Sequence, residues 1–145
     1  MGLDNGIVLR VKGKIDPEDR ILSIPGIEKD DWYEEHHPGF TQYDICYWRK
    51  CWNIRDILFV NCDDAKGKDD CGTYSLTIDE LEAIRHSLYL TICEGPDAWN
   101  DGDQSIWDFE EAMNFLPWDL VRLSALIGYM EKNAGRCEAC FYDSY

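Results

Sequence analysis

Positive charge is scarce in this sequence: 14 Lys and Arg face 29 Asp and Glu in 145 residues, a formal net charge of −15. Such a chain repels polyanions, so direct binding to nucleic acid or to anionic lipid is not expected. Long apolar runs are also missing. No stretch approaches the roughly 18 residues of a membrane span. The opening Met1-Gly2-Leu3-Asp4-Asn5-Gly6 holds no apolar leader, and Gly6 stands where a myristoylation signal needs Ser or Thr. The expectation is a soluble protein of the cytoplasm. Catalytic signatures are few. There is no Gly-rich phosphate loop and no Gly-x-Ser-x-Gly turn, and the histidines are only His36, His37 and His86. Carboxylates are too numerous for any one pair to indicate acid–base chemistry.

Core-forming residues are present in quantity. Hydrophobic residues make up 45%, with six Trp, eight Tyr and five Phe, which suits one globular domain over residues 1–145. Gly6 to Val11 is rich in β-branched residues and reads as a strand. Residues 13–40 are polar and broken by Pro17, Pro25 and Pro38, which reads as a long loop or insertion. Tyr43, Tyr47, Cys51, Ile54 and Leu58 recur at helical spacing after Thr41, which predicts a helix from Thr41 to Asn61. Gly72 to Leu76 reads as a second strand. Thr77 and Glu80 form a capping-box pattern before Leu81, Ile84, Leu88 and Ile92, and Gly95-Pro96 stops that helix. A short helix is expected around Ile106 to Phe115. A last one begins at Pro117 and is capped by Gly135. Cys140-Phe141-Tyr142 returns as a third strand. The predicted fold is α+β, a small antiparallel sheet of about three strands covered by three to four helices.

Seven cysteines without an export signal suggest reduced thiols or a metal site. Cys137-Glu138-Ala139-Cys140 is half of a structural zinc site, and Cys62 and Cys71 could complete it. His36-His37 is another ligand source, and the alternative is buried thiols acting as small hydrophobes. Asp101, Asp103 and Ser105 alternate as in a calcium loop, but Ile106 and Ala112 stand where it needs Gly and Glu.

The acids are unevenly spread. Between Arg85 and Arg122 lie 36 residues with eight acids, no Lys or Arg, and Trp99, Trp107 and Trp118. Acid mixed with large aromatics suits a surface that meets a basic partner. The residues read as that contact are Glu94, Asp97, Trp99, Asp101, Asp103, Trp107, Asp108, Glu110 and Glu111, extended by Asp30, Asp31, Glu34 and Glu35. The alternative is a solvated acidic face with the Trp residues in the core. Tyr47-Trp48-Arg49-Lys50, followed by Arg55, is the one dense aromatic–basic cluster and reads as a helix-surface stripe paired with acids.

Met1-Gly2-Leu3-Asp4, Tyr47-Trp48-Arg49-Lys50, Asp70-Cys71-Gly72-Thr73-Tyr74 and Phe141-Tyr142-Asp143-Ser144-Tyr145 follow an order that resembles a family of small proteins of bacteriophages, prophages and gut bacteria. The segment between Gly13 and Gly39 and the acidic stretch after Glu94 fall outside that likeness. The resemblance implies a setting in which small acidic proteins inhibit host defence, anti-CRISPR proteins among them, some by imitating DNA. It transfers no catalytic residue. The function expected is therefore inhibition of a host nucleic-acid-processing enzyme, first among them a CRISPR RNA-guided nuclease, by occupying its basic surface. The alternatives are a small hydrolase acting on a nucleotide signal or peptide, and a non-inhibitory structural or regulatory phage component.

Overall fold

Ile7, Leu9 and Val11 alternate with Val8, Arg10 and Lys12, and this period of two builds the central strand, β1 (Asp4–Lys12). The computed structural model describes residues 3–68, 71–99 and 107–144. Four further strands, β2 (Glu28–Lys29), β3 (Phe40–Arg49), β4 (Gly72–Leu76) and β5 (Cys137–Ser144), complete a sheet of order β2-β3-β1-β5-β4. Every neighbouring pair is antiparallel. The helices are α1 (Asp31–His36), α2 (Trp52–Val60), α3 (Ile78–Glu94), α4 (Pro96–Trp99), α5 (Phe109–Ala112) and α6 (Leu116–Lys132). The fold is α+β with one antiparallel sheet, and that sheet has five strands instead of about three.

One face of the sheet is the core face. Ile7, Leu9 and Val11 pack there with Tyr43, Ile45, Trp48, Tyr74 and Phe141. Leu81, Ile84 and Leu88 of α3, and Leu123, Leu126 and Ile127 of α6, close over them. Burying a side chain of this kind stabilises the fold by about 1.5–3 kcal/mol. The opposite face carries Arg10, Lys12, Gln42, Asp44, Tyr47, Glu138 and Tyr142, by the strand register. Tyr142 lies across Gly6, where an added Cβ would sit 2.5 Å from its ring and would have to displace it.

The helix expected from Thr41 to Asn61 is not formed over its first half. Residues 40–49 are a strand, and α2 begins only at Trp52. Thr41, Tyr43 and Ile45 alternate as buried positions, and then Cys46 is buried as well. A β-bulge explains the doubling: Ile7 faces Cys46 and Val8 faces Asp44, which leaves Ile45 as the extra residue. The bulge hides the period of two. The helical spacing of Tyr43 and Tyr47 is coincidental, since Tyr43 is buried and Tyr47 is 56% exposed. Lys50, at φ 55°, turns the chain from β3 into α2.

Other expectations hold locally. Thr77 and Glu80 make both bonds of the capping box on α3, and Gly95 ends that helix at φ 84°. Pro96 then opens α4 at once. Pro117 sits in the first turn of α6, whose C-cap is Asn133 and not Gly135; Gly135 serves the turn into β5. The polar stretch 13–40 carries a 3-10 turn at Arg20–Ser23, β2 and α1, and is held to the core by Ile15, Ile21 and Ile27.

A buried ion pair ties α2 to the sheet. Arg55 Nε and Nη2 donate to the two carboxylate oxygens of Asp143 at 2.9 and 3.0 Å, and Asn5 Nδ2 donates to the same carboxylate at 2.8 Å. Arg55→Met strands that carboxylate in the interior and should cost about 3–5 kcal/mol, read as a lower urea midpoint. Combining it with Asp143→Leu should recover most of the loss.

Candidate functional site

The two acidic segments have different structural duties. In the first, Asp30 caps α1 by accepting from the Tyr33 backbone N–H at 3.1 Å. Lys29 Nζ lies 2.8 Å from Glu34 and 3.5 Å from Asp31, and Lys14 Nζ lies 3.1 Å from Glu34. Hydrogen bonds from Lys29 and Lys14 hold the Glu34 carboxyl below its ordinary range. Much of the Asp30–Glu35 charge is thus matched by lysine, with Glu35 left exposed.

In the second segment, Glu94, Asp97, Asp108, Glu110 and Glu111 are all exposed. Asp108 caps α5 by accepting from the Glu111 N–H at 2.7 Å. Among the described residues none of these five carboxylates pairs with Lys or Arg. Asp101 and Asp103 lie outside the described residues. Trp99 does not fit its expected place on the contact: it is 1% exposed, and its Nε1 donates to the Trp107 carbonyl at 2.7 Å. Trp107 is half-buried and donates from Nε1 to the Arg49 carbonyl at 2.9 Å. Phe115 meets both indoles in T-shaped contacts. These tryptophans fasten the segment to the end of β3, while Trp118 stands 47% exposed in the first turn of α6.

The Asp30–Glu35 segment does not extend this patch. Tyr33 sits under the guanidinium of Arg10, whereas Trp107 anchors at Arg49, which pairs with Asp4. Arg10 and Asp4 are six residues apart on one strand, about 20 Å. The acidic segments mark opposite ends of the sheet.

The four cysteines expected to ligate zinc are not gathered. Cys137 and Cys140 are three apart on β5, so their side chains point to opposite faces. Cys62 is buried and its Sγ donates to the Ser75 carbonyl at 3.2 Å, while Cys71 is exposed. Burial raises the thiols of Cys62 and Cys137 and pushes Cys140 up to about 11. Among the described residues no group of three or more His, Cys, Asp and Glu is placed to hold a metal ion.

The Tyr47–Lys50 cluster alternates across β3 and is not a helical stripe. Tyr47 donates to Asp4 at 2.9 Å on the uncovered face. Trp48 points into the core, where its Nε1 donates to Asp119 Oδ2 at 2.7 Å, and Arg122 Nη1 donates to Oδ1 at 3.1 Å. Burial pushes the Asp119 carboxyl up to about 7, outweighing these two donors.

One concave site escaped the sequence reading. On the uncovered face, at the end of β1 away from the acidic patch, Arg10, Lys12, Tyr33, His37, Phe40 and Arg136 line a cavity of about 390 Å³ together with Glu138. Arg10 and Lys12 alternate visibly in sequence. Arg136 joins them only because β5 pairs with β1, a long-range fact with no local signal.

Comparisons of the chain with protein-family models, with curated proteins and with solved structures give no match.

Asp119 generates a pH test. Between the ordinary carboxylate range and about 7, the folded chain keeps a proton that the unfolded chain releases. Its stabilising contribution is complete below that window and is lost as pH rises through about 7. Asp119→Asn carries no titrating carboxyl, so its urea midpoint should fall less than that of the natural chain between about pH 5 and about pH 8. Equal falls in the two proteins would show that Asp119 is ionised when folded throughout.

Proposed function

We propose that the protein is an acidic interaction protein that occupies a basic, nucleic-acid-binding surface on a partner and keeps nucleic acid from it. The observation that carries this reading is the contrast between the two acidic segments. Glu34 and Asp31 are matched by lysines, while Glu94, Asp97, Asp108, Glu110 and Glu111 are exposed and, among the described residues, unmatched. A group of exposed carboxylates without local cations gives a field that steers a basic partner and is neutralised on docking. Asp101 and Asp103 add charge to the same stretch of chain. Trp118 supplies an exposed aromatic anchor in place of the buried Trp99. The phage resemblance directs the first test to a CRISPR RNA-guided nuclease inside a bacterial host.

Triple reversal of Glu94, Asp97 and Glu110 to Lys should weaken capture by immobilised, guide-free nuclease by about tenfold or more at low salt. Raising the salt should weaken the natural chain toward the variant. Reversal of Asp31 and Glu35 should leave capture unchanged. Equal capture of the natural and triple-reversed chains would remove this contact.

A further inference from the structure

In a chain with two acids for every base, the cavity at the far end of β1 stands out because three cations, Arg10, Lys12 and Arg136, line it. Arg10 and Lys12 project from the same face of that strand. The Lys12 N–H donates to the Arg136 carbonyl at 2.9 Å, which sets residue 136 beside residue 12. Neither the Lys12 nor the Arg136 side chain reaches a carboxylate among the described residues. Arg10 meets one, Glu138, at 3.8 Å, and that carboxylate is largely in solvent. Glu34, next to Tyr33 in α1, is engaged by Lys14 and Lys29. Locally, three cations stand against one acid in a molecule whose net charge is −15.

The walls are aromatic. Tyr33 and His37 stack at 3.9 Å and 12°, and the guanidinium of Arg10 lies 5.2 Å from the Tyr33 ring centre. Arg10 Nε donates to Gln42 Oε1 at 3.0 Å, which fixes the plane of the guanidinium. Phe40 is 47% exposed at the rim, opposite Lys12 across β3 and β1. A volume of about 390 Å³ admits a small molecule.

We infer that this cavity is a binding site for a nucleoside monophosphate. Arg and Lys recognise phosphate oxygens through charge-assisted hydrogen bonds, and an exposed Phe face takes a flat base by stacking. The chain's overall negative charge admits one phosphate into a locally positive pocket and opposes a long strand. The site lies at the opposite end of the sheet from the acidic patch and does not rest on the reading of that patch.

Titration calorimetry of the full chain with AMP, GMP, CMP and UMP tests the inference, with inorganic phosphate and adenosine as partial probes. At least one nucleotide should saturate below about 1 mM. Inorganic phosphate and adenosine should each bind about tenfold more weakly than it. Lys12→Gln and Arg136→Gln change exposed side chains, so the fold should persist, checked by an unchanged urea midpoint. Each should weaken the nucleotide about tenfold. Phe40→Ala should remove the preference for nucleotide over inorganic phosphate. The site is overturned if no nucleotide saturates, if both Gln variants bind as the natural chain does, or if a 5′-phosphorylated decanucleotide binds more tightly than the mononucleotide.

Discussion

The paired charges of Arg55 and Asp143 hold three parts of the chain in one place: β1 through Asn5, β5 through Asp143 and α2 through Arg55. The pair is almost wholly buried, so its attraction is offset by the loss of hydration. Arg55 also lies 4.4 Å from the ring centre of Phe59, which adds a face-on contact to the guanidinium. The value of the pair is in register. A slip of one residue along β5 would turn Asp143 to the uncovered face and leave Arg55 stranded in the core. The same slip would carry Phe141 and Ala139 to the uncovered face and bring Tyr142 and Cys140 to the core face. The satisfaction is incomplete, because among the described residues the buried Asn5 Oδ1 has no hydrogen-bond partner. The geometry is therefore set by the carboxylate and not by the amide.

Once β1 is fixed between β3 and β5, the surface is electrically divided along its length. The Asp4 end of the strand meets the Trp107 segment with its exposed acids, and the Lys12 end meets Arg136 and the aromatic pair of α1. A net charge averages over this division and conceals it. The average alone argues against anionic ligands, while the lining of one cavity, with Arg10, Lys12 and Arg136 against Glu138, has the opposite character. Proteins commonly use both signs in this way, one for encounter and one for selection.

Features carried by nearby residues were readable in advance. The capping box at Thr77, the proline entry to α6 and the strands at Gly6, Gly72 and Cys140 depend on a few neighbouring side chains. Strand β3 was not readable because its bulge breaks the alternation and leaves a false helical spacing. The two-residue strand β2 is too short to leave a pattern, and both its residues are exposed. Tertiary position was hidden as well. Trp99 is chemically suited to an exposed anchor, and only its bond to Trp107 shows that it belongs to the core. The spacing of Cys137 and Cys140 suits a metal-binding turn, but a strand separates their side chains. The cationic cavity needs Arg10 and Arg136 together, which is a property of strand pairing and not of spacing.

The position of β5 sets a timetable. It is the last element of the described chain, and it lies between β1, the first, and β4. Until residues 137–144 leave the ribosome, β1 can pair only with β3, and the strand at 72–76 has no neighbour. Before then the nascent chain carries open edges on both strands, the condition in which strands from different molecules join. Completion of the sheet is a single insertion of β5 between β1 and β4, and the interval before it is when the chain is most exposed to aggregation.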